Sequence, residues 1–270
     1  MYVVVSIGSS FDDVDTDAVL RLLRDVAEEV INPRFRALTE AQVSEKNPGD
    51  LVTVADREAE VLITRALLGA YPDAAVLGEE AYAGDPALLA SYVGADHSFT
   101  VDPVDGTKNF VQGSPDHAVM VSESRGGEVV RAWIWQPQHG VAYVAERGAG
   151  CFRNGERLTR PAASADPSRW RGVTSRRGWI GRELPGLRPL ELTWVCCGVD
   201  YPKLLEGAAD FVLYGAGLPW DHAPGSLLLG EAGAHLGTVD GSAYAPQGPR
   251  PRGLLASADR ATYDAVVGLL

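Results

Sequence analysis

The chain has 270 residues, 46% of them hydrophobic and 22% charged, enough to bury a core in one large domain or two coupled ones. Thirty-six acidic against 24 basic side chains give a formal net charge of −12, which argues against a sequence-independent binder of nucleic-acid backbone or anionic membrane. A small anionic substrate is repelled too, unless bound cations reverse the local field. The three cysteines, Cys151, Cys196 and Cys197, suit a reducing, cytoplasmic setting rather than a disulfide framework, and no spacing resembles a zinc site. The opening MYVVVSIGSSFDDVD lacks the basic start of a signal peptide, and no apolar run is long enough for a membrane span.

From Asp15 to about Leu38, Val19, Leu22, Leu23, Val26 and Val30 recur at helical spacing, and Pro33 bends or ends that helix. Glu40 to Asp50 is polar, contains Asn47-Pro48-Gly49, and reads as a loop. A second helix is expected from Thr53 to Tyr71, then a short strand, Ala75 to Leu77, stopping at Gly78-Glu79-Glu80. Ser98 to Val101 is another short strand, with Asp102-Pro103-Val104-Asp105-Gly106-Thr107 at its end. Ala118–Ser124, Val129–Gln136 and Val141–Glu146 form a meander punctuated by glycine and proline turns. After Gly148-Ala149-Gly150 strands and helices alternate, with Trp194–Cys196, Tyr201–Ala208, Phe211–Tyr214, Ala223–Ala232, Leu254–Ser257 and Arg260–Leu270 as segments. Pro161–Pro167 and Gln247–Arg252 read as surface loops. The fold class is mixed α/β, in two coupled halves, 1–147 and 148–270.

Asp56, Glu79, Asp102, Asp105 and Asp221 fall at strand ends or helix starts rather than on solvated helix faces. Carboxylates at the end of a buried strand are costly unless something neutralises them. Pro103 pushes Asp102 toward an extended conformation, and the following turn lets Asp102 and Asp105 point into one space. Gly106 leaves room for an anion beside the backbone, and a helix starting near Thr107 would present free amides and a positive dipole end to it. Carboxylates beside a phosphate-ready helix start conflict unless hard divalent cations lie between them. The motif reads as half of a two-metal phosphoryl-transfer site.

Leu51-Val52-Thr53-Val54-Ala55-Asp56, Gly78-Glu79-Glu80, DPVDGTKNF from Asp102 to Phe110, and Trp220-Asp221-His222-Ala223-Pro224-Gly225 occur in one order along the chain. Together they resemble the blocks of the inositol monophosphatase family, lithium-sensitive, magnesium-dependent phosphatases of sugars and nucleotides. The resemblance implies a layered α-β-α-β-α sugar-phosphatase fold, a homodimer, and hydrolysis of a small phosphorylated metabolite such as a polyol phosphate. It also implies two Mg²⁺ ions, replaceable by Mn²⁺, with a third, weaker position near Glu79. On that pattern Glu79, Asp102 and the Val104 carbonyl hold one ion; Asp102, Asp105 and Asp221 hold the other. Gly106 and Thr107 amides cradle the phosphate, while Asp56, Thr107 and Glu79 orient the attacking water. Histidinol phosphate, fructose 1,6-bisphosphate and 3′-phosphoadenosine nucleotides are rival substrates, and a catalytically silent regulatory or binding homologue is the rival outside enzymology.

Three departures fall at the substrate end. The family usually has glycine, a small hydroxyl residue and alanine where this chain has Val195-Cys196-Cys197. It has a glutamate where this chain has Tyr214, and alanine at Pro224. Losing a glutamate that contacts alcohol hydroxyls weakens the case for inositol. Tyr214 stays open between core packing and a substrate contact, and Cys197 is its companion on the substrate side. Cys196 and Cys197 read as buried filler, His222 as a capping or packing residue, and Lys46 as a solvated loop lysine that could alternatively approach a bound phosphate.

Overall fold

The computed structural model describes residues 15–47, 50–215 and 217–270; the opening stretch and Pro48-Gly49, read above from sequence, lie outside them. Helix α1 (Thr16–Val26) is capped by the Asp15 carboxylate, which accepts from the Ala18 amide, and runs on through tighter and wider turns as far as Arg34. The segment expected to be a loop forms a hairpin instead, β1 (Val43–Asn47) with β2 (Asp50–Thr53). Its polar side chains hid the strand: Lys46 pairs with Glu79 and Glu80 rather than with a greasy core. Helix α2 (Val54–Ala70) follows, closed at its start by a reciprocal Thr53–Asp56 capping box.

A seven-stranded sheet comes next. Its strands are β3 (Ala75–Gly78), β4 (His97–Asp105), β5 (Ala118–Arg125), β6 (Glu128–Gln136), β7 (Val141–Glu146), β8 (Gly150–Arg153) and β9 (Glu156–Leu158), paired in that order. Short helices α3 (Glu79–Gly84) and α4 (Leu88–Gly94) link β3 to β4, which pair in parallel, and α5 (Thr107–Val111) follows β4. Strand β4 is longer than expected: it carries Asp102-Pro103-Val104-Asp105 to its end, with a register break against β5 between Asp102 and Asp105. Proline has no N–H for the ladder, so the strand bulges where the two aspartates turn inward.

The second sheet is five-stranded, in the order β11 (Glu191–Leu192), β10 (Gly172–Thr174), β12 (Phe211–Tyr214), β14 (Leu254–Ser257), β13 (His235–Thr238). Helices α6 (Cys197–Leu205), α7 (Pro219–Glu231) and α8 (Arg260–Val267) belong to this part of the chain. No strand forms at Trp194–Cys196, contrary to expectation. Val195 takes a left-handed backbone there, φ 59°, which no strand tolerates, and the Trp194 amide bonds Asp200 at 2.8 Å rather than a neighbouring strand.

Alternation along the strands builds the layers. Val119 and Val121 face α1 and α2, while Ala118 and Met120 face α6 and α7. Val212 and Tyr214 meet those same two helices from the second sheet, and Phe211 and Leu213 turn outward to Tyr263 and Val266 of α8. The order is α1/α2, seven-stranded sheet, α6/α7, five-stranded sheet, α8. The first sheet continues past residue 147, with Cys151 pairing Leu158 at its far edge. In the central helical layer a Cβ at Gly225 would lie 2.3 Å from the Tyr201 ring, so α7 reaches α6 only because that position is bare. Gly225→Ala is expected to cost about 1–3 kcal/mol by overpacking, measured as a lowered melting temperature; a variant as stable as the parent would refute this close-packing account.

Candidate metal centre

Four separate elements deliver acids to one place. Asp102 and Asp105 come from the bulged end of β4, Asp221 from the first turn of α7, Glu79 from the first turn of α3, and Asp56 from the first turn of α2. Each helix start tolerates an acid because its unpaired amides and dipole favour negative charge there. One carboxylate oxygen from each of Asp102, Asp105 and Asp221 can lie within 4.8 Å of the others, a spacing that could hold a metal ion.

Asp102 is 1% exposed, and its Oδ1 has no hydrogen-bond partner. A buried, ionised oxygen left unpaired is expensive. Asp105 is anchored: its Oδ2 accepts from the Cys196 thiol at 2.9 Å and from the Gly198 amide at 2.5 Å, and the Gly106 amide also bonds its carboxylate. A Cβ at Gly198 would come within 2.5 Å of the Ala118 methyl and 3.3 Å of that same oxygen, so glycine lets the amide approach. Gly106 is left-handed, φ 80°, and opens α5. A Cβ there would meet Cys196 Cβ at 3.0 Å and the Asp116 carbonyl at 3.1 Å, so its bareness serves the turn and the Cys196 contact.

Thr107 sits at the join. Its hydroxyl lies 3.0 Å from both Asp56 Oδ1 and the Val104 carbonyl. Asp56 Oδ2 accepts from the Thr53 amide at 2.9 Å and from the Thr53 hydroxyl, which fixes the carboxylate's orientation. Glu79 lies outside the Asp102–Asp105–Asp221 cluster; its Oε1 is 2.6 Å from Lys46 Nζ, which also reaches Glu80 Oε1 at 2.8 Å. Lys46 is therefore a largely buried counter-charge on β1 rather than a solvated loop residue.

Proton affinities record the crowding. Burial, then the charges of Glu79, Asp105 and Asp221, raise Asp102 well above the carboxylate range. Burial, then Glu79 and Asp105, do the same to Asp221. Burial pushes Asp105 up to about 6 against the hydrogen bonds from Cys196 and Gly198. Asp56 also rises to about 6, burial outweighing its Thr53 and Thr107 bonds. Burial pulls the Lys46 ammonium down, but Glu79 and Glu80 more than reverse that. A set of acids this hard to ionise together fits a divalent cation, whose charge would offset both desolvation and mutual repulsion.

Two contributors escaped the sequence reading. Glu60 is buried on α2, its oxygens accepting the Glu80 amide at 2.7 Å and the Ala81 amide at 2.8 Å, which fixes the turn bearing Glu79. The signal was available: Asp56, Glu60, Ile63 and Leu67 share one helix face, and an acid on an apolar stripe needs a partner. Cys196, taken for filler, is a hydrogen-bond donor to Asp105. His222 is a packing residue: it is buried, 2.8 Å from the Tyr201 hydroxyl through Nδ1, and burial lowers its pKa to about 3. Tyr214 and Cys197 line a cavity beside Asp105 and Asp221.

A layered mixed α+β fold with acids gathered at strand and helix ends is that of a phosphoric monoester hydrolase. A model of the inositol monophosphatase family matches residues 13–270, and the chain belongs to that family. It is 35% identical to the inositol-1-monophosphatase of Rhizobium meliloti over 218 residues, 77% of this chain and 79% of that one. It is 31% identical to the Nus factor SuhB of Pseudomonas aeruginosa over 237 residues, 80% of this chain and 82% of that one. Among solved structures the Thermotoga maritima IMPase superposes with a TM-score of 0.78 at 26% identity, covering 94% of this chain and 95% of its own.

The raised carboxylates give stability a pH dependence. Between about pH 4 and 6 the folded chain keeps protons on Asp56 and Asp105 that the unfolded chain releases, so without divalent cations stability falls as pH rises through this window. Above it Asp56 and Asp105 are ionised, and Asp102 and Asp221, held higher by burial and by their neighbours' charges, resist ionisation without a cation. The gain in melting temperature from millimolar MgCl₂ is expected to be small near pH 5 and to grow toward about pH 8; a gain that shrinks over that range contradicts the assignment.

Proposed function

We propose that this phosphatase hydrolyses a small phosphate monoester with two Mg²⁺ ions held by Glu79, Asp102, the Val104 carbonyl, Asp105 and Asp221, Mn²⁺ serving as substitute. The observation that carries the reading is Asp102 Oδ1, buried and unpartnered beside Asp105 and Asp221. Divalent cations bound there would supply water activation and neutralisation of the leaving oxygen. The chain's part is positioning and charge placement, which is most of what phosphoryl transfer requires.

Asp105 has its Oδ2 engaged by Cys196 and Gly198, which orients the carboxylate toward the other acids. Asp56 is ionised at neutral pH, above its value of about 6. The Thr107 proton is then committed to Asp56 or to the Val104 carbonyl, and the hydroxyl's lone pairs are free to accept a hydrogen bond from the attacking water. Glu79 directs the same water once Lys46 yields, and Glu60 keeps Glu79 in place through the amides that follow it. The Gly106 and Thr107 amides at the start of α5 are the candidate phosphate donors, although the Gly106 amide is engaged with the Asp105 carboxylate in this structure. A catalytically silent homologue would not need this complete set of acids. We further place the protein in the cytoplasm, which its free cysteines suit, with lithium competing at the second ion position, for which the acids are intact; the homodimer rests on the family resemblance alone.

Asp102→Asn is expected to lower Mg²⁺-dependent kcat by more than about a hundredfold on whichever ester the wild type turns over best. The panel should include inositol 1-phosphate, fructose 1,6-bisphosphate, histidinol phosphate and a 3′-phosphoadenosine nucleotide. Near-normal turnover by the variant would remove Asp102 from the mechanism. Millimolar LiCl at saturating Mg²⁺ is expected to inhibit; full activity there would argue against the second ion position.

A further inference from the structure

A cavity of about 260 Å³ opens beside the acids, with Asp105 and Asp221 among its lining residues. The alcohol half of a substrate whose phosphate lies at those acids must project into it. Three features of its wall point the same way. Val195 lines it with a left-handed backbone, φ 59°, a conformation that β-branched residues avoid strongly. The strained valine is 37% exposed. Leu192, also on the wall, is 43% exposed. Tyr214 is 3% exposed, yet its hydroxyl has no partner and its side chain lines the same space.

An exposed apolar pair beside one orphaned hydroxyl is a poor receptor for an alcohol bearing hydroxyls all round, each of which would lose its water against Val195 and Leu192 without replacement. It suits an alcohol with one apolar or aromatic face and a polar handle. Ser175 and Arg177, exposed at the same cavity, would meet that handle. We propose that Val195 and Leu192 are specificity-determining residues selecting a phosphate monoester whose alcohol presents an apolar or aromatic face, with Tyr214 packed behind them. This rests on the phosphatase reading above and deepens it.

The test compares kcat/KM for benzyl phosphate and inositol 1-phosphate in the wild type, Val195→Gly and Leu192→Ser. Taking the benzyl-to-inositol ratio of each enzyme cancels the intrinsic reactivity of the two esters in comparisons between variants. Val195→Gly relieves the backbone strain, so it folds, and Leu192 is exposed, so its change leaves the core intact. Each substitution is expected to lower the ratio by at least about tenfold, the scale of one apolar contact in a specificity pocket. A ratio unchanged in both variants overturns the inference while the phosphatase reading stands. Turnover of no ester in the wild type sinks the phosphatase reading itself, and this one with it.

Discussion

Mutual repulsion among buried carboxylates is the constraint on which the rest of the molecule depends. Asp102, Asp105 and Asp221 lie close enough to share an ion, with Glu79 and Asp56 near enough to oppose the ionisation of Asp102. In an interior of low effective dielectric such a group cannot remain charged without compensation. The fold tolerates it because the acids sit at strand ends and helix starts, where amides rather than side chains supply part of the compensation. The Gly198 amide on Asp105 and the Thr53 amide on Asp56 are two such contacts. Lys46 supplies another part as a full positive charge against Glu79 and Glu80.

The layers explain why the acids hold still while they repel. Strand β4 is buried on both faces, between α1/α2 and α6/α7, so its bulged end cannot retreat. Helix α7 reaches it from the other half of the chain and is fixed against α6 by the bare edge at Gly225. Helix α2 brings Asp56 to Thr107 and Glu60 to the turn bearing Glu79, so one helix fixes two parts of the site. The same architecture leaves the cavity wall between β11 and α6 built from irregular backbone around Val195. On the reading proposed above, rigid elements would set the chemistry and a loop the choice of alcohol.

Much of this was legible in the sequence because the signals were local. Helix α2, strand β3 and the meander β5–β7 fall where periodicity put them, and the aspartates flanking Pro103 converge as the turn residues implied. What escaped was decided by distant partners. Residues 43–53 carry few apolar side chains, and nothing local says that Lys46 will be paired with Glu79 across the fold. Trp194–Cys196 has the β-branched and aromatic composition of a strand, yet Asp200 claims the Trp194 amide and Val195 turns left-handed. Cys196 is a small apolar residue by composition and a donor to Asp105 only by position. Glu60 was the one miss with a local clue, an acid on the buried face of a helix.

Anomalous diffraction from a crystal grown with Mn²⁺ near neutral pH addresses the central claim most directly. A peak is expected at coordination distance, roughly 2.0–2.3 Å, from Asp102 Oδ1, with oxygens of Asp105 and Asp221 around it. Density at that point without a manganese signal, the three aspartates keeping their spacing with no ion between them, would contradict it.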